Sequence, residues 1–203
     1  DAYQRHGLAY YPKLLGAVPF TPVPGTRLLA TDGAARARLA QVITDLARSA
    51  QLSSAHLLFI DDADQAALQR AGWMIRHGVQ FHWTQAEPDP WPDFATFLAS
   101  LQREKRKKIQ QERRRVADAG IHFTVHEGAA ITTAQWDFFY RCYTLTYRAH
   151  GSMPYLRRDF FACMASTMAE HWVMFIAHRN GEPIAASLIA VDPQQRLAYG
   201  RYW

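Results

Sequence analysis

The chain has 203 residues, 49% of them apolar and 13% aromatic, which excludes a disordered chain and supports one large packed domain or two small ones. Its formal net charge of +5 is local: Arg103 to Arg115 holds eight basic and two acidic residues, while the rest holds 15 basic and 16 acidic. A diffuse polyanion-binding surface is thereby excluded, and two cysteines, Cys142 and Cys163, are too few for a disulfide framework.

The first segment, LAYYPKLLGAVPFTPVPG, reads as a strand running into a proline-rich loop. Pro19, Pro22 and Pro24 carry no N–H, which excludes a helix or a central ladder there. Pro24-Gly25 is a turn signal. Thr31 or Asp32 is placed to cap a helix, and Leu39, Val42, Ile43 and Leu46 recur at i, i+3, i+4, i+7, which predicts one buried face. SAHLLFI, Ser54 to Ile60, reads as a buried strand, Asp61 to Ala71 as a helix closed by Gly72, and Trp73 to Thr84 as a returning strand. Alternating strands and helices predict an α/β layer architecture. EPDPWPD, Glu87 to Asp93, packs three prolines into seven residues and reads as a linker.

The second half opens on one long predicted helix. Phe94, Phe97, Leu98 and Leu101 form its apolar stripe, Ile109 and Val116 continue it, and Gly120 ends it. Ile121 to His126 alternates as a half-exposed strand does. A helix from Thr133 to about Ala149 puts Trp136, Phe139, Tyr140, Tyr143 and Tyr147 on its inner face, and Asp159 to His171 is a further helix. A meander follows, with turns at Asn180-Gly181 and Asp192-Pro193. Both cysteines fall in predicted helices and read as core residues. The remaining histidines show no ligand spacing, so no metal is assigned. No apolar run approaches the roughly 20 residues that span a bilayer. The expected location is the cytoplasm, with attachment to the inner membrane face as a further option. The chain starts without Met and stops inside LAYGRYW, so it is read as an excerpt.

YYPKLLGAVPFTPVPGTRLL, FLASLQREKRKKIQQERRRVADAGI, RAHGSMPYLRRDFF and the closing AYGRYW together resemble the FemAB-like family, described as peptidoglycan biosynthesis or recognition proteins. The resemblance implies the acyl-CoA N-acyltransferase (GNAT-like) fold, twice in tandem: mixed α/β sheets with flanking helices. On this reading 1–86 is the C-terminal half of a first domain, 87–93 a linker and 94–203 the N-terminal part of a second. It also implies an N-acyltransferase, moving an acyl or aminoacyl group onto an amine acceptor. The donor is expected to be acyl-CoA or aminoacyl-tRNA, used as a substrate, with no tightly bound cofactor.

Such a transfer needs donors for the phosphates, stabilisation of the carbonyl oxygen and an acceptor for the amine proton. For the donor, Gly25, Thr26 and Arg27 lie in a loop before a helix, and Tyr199 and Gly200 lie on the last strand, where a glycine permits a bulge. In the related acetyltransferases this loop is glycine-rich; here only Gly25 and Arg27 echo it. HGSMPY follows one helix and precedes another. His150 is the candidate proton acceptor, and Tyr155 and Arg201 are candidate substrate positioners.

The basic stretch has several readings. It is a solvated helix with intermittent pairs such as Glu104 to Lys108, or its cations Lys105, Arg106, Lys108, Arg113 and Arg114 lie along a polyanion. That polyanion is a tRNA, CoA or a lipid-linked precursor. A stable DNA complex is not expected, because no groove-reading or stacking module accompanies the charge. A non-catalytic module recognising cell-wall precursors, and a nucleic-acid-binding protein resting on residues 103–115 alone, are the other readings.

Overall fold

The computed structural model describes residues 2–18 and 22–202, with the backbone alone at 2, 4, 201 and 202. Pro19 and Thr21 of the predicted proline-rich loop lie outside the described residues. The chain forms two compact units, Asp1–Trp83 and Thr84–Trp203. Both combine helices and a sheet, so the chain is mixed α/β, as expected.

The first unit holds α1 (Ala2–Arg5), β1 (Lys13–Gly16), α2 (Gly33–Ser49), β2 (Ser54–Leu57) and α3 (Asp62–Arg70). β1 and β2 pair in parallel, Leu14 opposite Ala55, with α2 as the crossover that parallel pairing demands. Asp32 caps α2 by accepting from the Ala35 amide at 2.7 Å. The buried stripe of α2 is rotated from the expected one. Ala40 and Ala47 are buried, Leu39 and Ile43 flank them, and Val42 and Leu46 are 59% and 50% exposed. The small alanines let α3 approach, and Leu68 of α3 is buried with Ala40 and Leu28.

Two strand expectations are corrected here. The run Ser54–Ile60 is regular only to Leu57, because Phe59 takes a positive φ of 56°. Trp73 to Thr84 forms no strand. Trp73 and Ile75 pack against the α2–α3 core, and the Trp73 indole donates to Thr44 at 3.0 Å. Beyond them Val79, Phe81 and Trp83 stand 79%, 95% and 65% exposed. Strand propensity without a ladder partner does not make a strand.

The second unit runs α4 (Phe94–Ser100), α5 (Arg103–Asp118), β3 (Ile121–Glu127), α6 (Thr133–Ala149), α7 (Arg158–Thr167), β4 (Trp172–Arg179), β5 (Glu182–Asp192) and β6 (Leu197–Tyr202). The sheet order is β3-β4-β5-β6, antiparallel throughout. Asn180 and Gly181 have φ of 54° and 82°, the mirror-turn conformation that closes a two-residue hairpin. Gly120, with φ +67°, ends α5. The core is aromatic: Trp136, Phe139 and Tyr143 of α6 and Phe161 of α7 bury against Met174, Ile176 and Leu188.

Four sequence expectations change in this unit. The single long helix is two, broken where Leu101 and Gln102 turn extended. The last helix stops at Thr167, and a 3₁₀ turn follows over Ala169–His171. Cys163 is exposed and Cys142 half-buried, because Cys163 stands two residues from buried Phe161 and so points away from the core. The alternation of β3 is inverted. Phe123 and Val125 are 59% and 51% exposed, while Thr124 and His126 are half-buried on the face of Ile176 and Met174.

Candidate functional site

The loop before α2 is tied down by two aspartates of the Asp61–Asp64 turn. Asp61 caps α3 by accepting from the Asp64 amide at 2.8 Å and also accepts from the Thr26 hydroxyl at 2.5 Å. The Thr26 hydrogen bond, followed by that amide, holds the Asp61 carboxyl below its ordinary range. Asp64 is wholly buried. Its Oδ2 accepts from the amides of Arg27 at 2.6 Å and Leu28 at 3.0 Å, and its Oδ1 from Arg36 Nε at 2.9 Å. The Gly25 amide donates to the Phe59 carbonyl at 2.9 Å. The Arg27 guanidinium donates from Nε to Leu58 O and from Nη2 to Val23 O. The amides of Gly25, Arg27 and Leu28 are thus bonded within the protein.

On α5 the five cations divide. Arg106 Nη1 donates to Ala99 O at 3.0 Å, capping the end of α4, and the Arg113 guanidinium lies 4.6 Å from the centre of the Phe94 ring. Half-buried Arg106 lies on the inner side of the helix with half-buried Ile109 and Val116, and Arg113, itself exposed, lies one turn beyond Ile109 on that side. Lys105, Lys108 and Arg114 are exposed. Lys108 pairs with Glu112 at 3.9 Å, where the sequence offered Glu104 at the same spacing.

The C-terminal end of α6 carries a tyrosine cluster. Tyr143 and Tyr147 lie with ring centres 4.7 Å apart, and Tyr155 meets Tyr147 edge-on at 5.7 Å. The Leu156 amide donates to the Tyr143 hydroxyl at 3.3 Å, fixing the following loop against the helix. Burial raises the phenols of Tyr143 and Tyr147, and for Tyr147 hydrogen bonds with Tyr155 and Tyr143 add to the rise. His150 is the exposed C-cap residue of α6, and Gly151, at φ +68°, turns the chain away. The structure thus brings His150 and Tyr155 into one loop with Tyr147 behind Tyr155. Tyr147 was placed on the inner face by helical period but not assigned a role.

Tyr199 and Gly200 pair with Ala190 and Ile189. The register then shifts: Leu188 opposes Tyr202, so Arg201 is the extra residue of a bulge. The Arg201 side chain lies outside the described residues.

A second polar cluster lies at the other end of α6, about 24 Å away at 1.5 Å per residue. His122 and His178 are cross-strand partners with rings stacked at 5.2 Å. His178 Nε2 and His126 Nε2 both contact Thr124 Oγ1, at 3.0 and 2.9 Å. Among the described residues no three His, Cys, Asp or Glu side chains are placed to hold a metal ion.

Compared with known families, residues 1–203 match the FemAB-like family, described as peptidoglycan biosynthesis/recognition. The chain belongs to the FemAB-like family. No curated protein matches it. Membership gives this FemAB-like chain a cell-wall context, peptidoglycan biosynthesis or recognition. Among the described residues no helix is long and apolar enough to cross a membrane.

Proposed function

We propose that this FemAB-like chain belongs to an enzyme that moves an acyl or aminoacyl group onto an amine of a peptidoglycan precursor. The match over all 203 residues carries the reading. The strand, two helices and three strands of the second unit support it, being the order expected for the start of an acyl-CoA N-acyltransferase domain. In the proposed step the amine nitrogen attacks the acyl carbonyl carbon, and the C–S or C–O bond to the donor breaks from a tetrahedral intermediate. His150 takes the amine proton, and the Tyr155 hydroxyl donates to the carbonyl oxygen. Arg201, on its bulge, holds an anionic group of a substrate. In the second unit Tyr199 and Gly200 face the donor, acyl-CoA or aminoacyl-tRNA; in the first unit Gly25, Thr26 and Arg27, with Arg27 acting through Nη1, form that unit's own donor-phosphate loop. Lys105, Lys108 and Arg114 steer the polyanion. A cytoplasmic location, beside a lipid-linked acceptor, fits this chemistry.

One observation favours a second reading, a non-catalytic module that recognises cell-wall precursors: the amides of Gly25, Arg27 and Leu28 already have partners. Thermal shift of the full chain with acetyl-CoA, longer acyl-CoAs, charged tRNA and a precursor pentapeptide separates the two. A shift with a donor, and a loss of about 10²-fold or more in turnover for His150→Ala, is the expected result. A shift with the precursor alone supports the module. Binding to random oligonucleotides that survives moderate salt supports a nucleic-acid-binding protein instead.

A further inference from the structure

The joint between β3 and α6 contains one oxygen with two claimants. Thr132 and Gln135 form a capping box at the start of α6: the Gln135 amide donates to Thr132 Oγ1 at 3.3 Å, and the Thr132 amide donates to Gln135 Oε1 at 2.8 Å. The second bond fixes the side-chain amide of Gln135. With Oε1 on Thr132, Nε2 turns toward His126 and lies 3.0 Å from both Nδ1 and Nε2 of the imidazole. A neutral imidazole has one nitrogen that accepts, whichever tautomer it adopts. An imidazolium has none. A second proton on His126 therefore places a donor against a donor, and the only remedy within Gln135 is to rotate its amide. Rotation gives Oε1 to His126 and takes it from the Thr132 amide.

We propose that this joint is a proton-operated clasp, in which protonated His126 and the Thr132 amide compete for Gln135 Oε1, so that acid loosens the first turn of α6. Thr124 Oγ1, 2.9 Å from Nε2, accepts from an Nε2–H in either charge state, so the proton without an acceptor in the imidazolium is the one on Nδ1, which faces Gln135 Nε2 at 3.0 Å. Thr124 on its own strand already contacts His126 Nε2 and His178 Nε2, and Met174 faces it from β4. Behind His178 stands His122, a third titratable ring. From α6, Asp137 is taken by Arg158 at 2.7 Å, and in the 3₁₀ turn beside Gly128, Glu170 lies 3.5 Å from His171. Among the described residues no carboxylate is within ion-pair distance of His126.

Gln135→Glu discriminates sharply, since Glu is itself a capping-box residue and its carboxylate has two oxygens, one for each claimant. The measurement is hydrogen–deuterium exchange of the full chain at pH 7.5 and 5.5, corrected for intrinsic rates, in the peptide covering residues 128–138. The wild type is expected to lose about fivefold in protection at pH 5.5, the loss of about one capping interaction. Gln135→Glu and His126→Asn are each expected to lose none. His178→Asn, which removes a titrating ring but leaves the clasp, is expected to lose as much as the wild type. Equal wild-type protection at both pH values overturns the proposal, as does a loss that persists in Gln135→Glu or disappears only in His178→Asn.

Discussion

The two compact units hold their helices in place by different means. In Asp1–Trp83 the anchor is one buried carboxylate, Asp64, which gathers two loop amides and the Arg36 guanidinium. In Thr84–Trp203 it is edge-to-face ring packing, Phe139 against Phe161 at 5.3 Å and Trp136 against Trp172 at 6.4 Å. A carboxylate directs its hydrogen bonds and so fixes the path of a loop backbone. Aromatic packing is less directional and fixes the seat of a helix. The first unit thus spends its polar chemistry on shape, while the second leaves polar side chains such as Tyr155 and His150 at its surface.

The largest effects should test that contrast directly. Asp64→Ala leaves Arg36 and two amides without their acceptor and is expected to cost about 3–5 kcal/mol, confined to the first unit. Phe139→Ala is expected to cost about 3–5 kcal/mol, confined to the second. Urea unfolding followed by hydrogen exchange resolves the two units; a loss spread evenly over both would dissolve the comparison. Next in size is the α4 latch. Arg106→Ala or Arg113→Ala should loosen Phe94–Ser100 by about 0.5–1 kcal/mol, and Arg114→Ala by less than about 0.5 kcal/mol. Equal effects from all three, by protease nicking at residues 87–102, would return Arg106 and Arg113 to the solvated face.

Acid should weaken both units, and alkali should weaken the second. Asp61 and Asp32 are held below their ordinary range by hydrogen bonds in the first unit, so their stabilisation is present above about pH 4 and lost as pH falls. Asp93 does the same at α4 in the second. Burial holds the Tyr143 and Tyr147 phenols neutral, so their contribution is present below about pH 10 and lost as pH rises. Absorbance titration of the nine tyrosines should show a late-ionising group that merges with the rest on unfolding; one uniform step would deny it. One substitution is expected to give a small gain. Thr144 Oγ1 is buried with no hydrogen-bond partner, so Thr144→Val should stabilise the second unit by about 0.5–1 kcal/mol in thermal melts.

Much of the fold could be read from periodicity and punctuation. The α6 stripe from Trp136 to Tyr147, the Asn180-Gly181 hairpin and the Gly72 and Gly120 stops all stand where residue type placed them. What misled was propensity judged without its partner. Trp73 to Thr84 alternates like a strand but joins no ladder among the described residues, and at the break at Leu101–Gln102 Arg106 reaches back to Ala99. The inverted face of β3 was hidden for the same reason. Turning His126 and Thr124 inward is tolerable only because Gln135 and His178 meet them, and register, not sequence spacing, makes those meetings. At the candidate site, the loop holding His150 and Tyr155 was legible as a loop between helices. The backing of Tyr155 by Tyr147 needed coordinates.

The parallel pairing of β1 with β2 also sets a clock. Lys13 must find Ser54 across the whole of α2, so its ladder closes a long loop before any bond repays it. β4 and β5 need only close Asn180-Gly181, an event on the microsecond scale. The expected order of events is hairpin first and parallel ladder last. Mutational φ-values near one at the β4–β5 turn and near zero at Leu14 and His56 would bear that order out, and the reverse pattern would refute it.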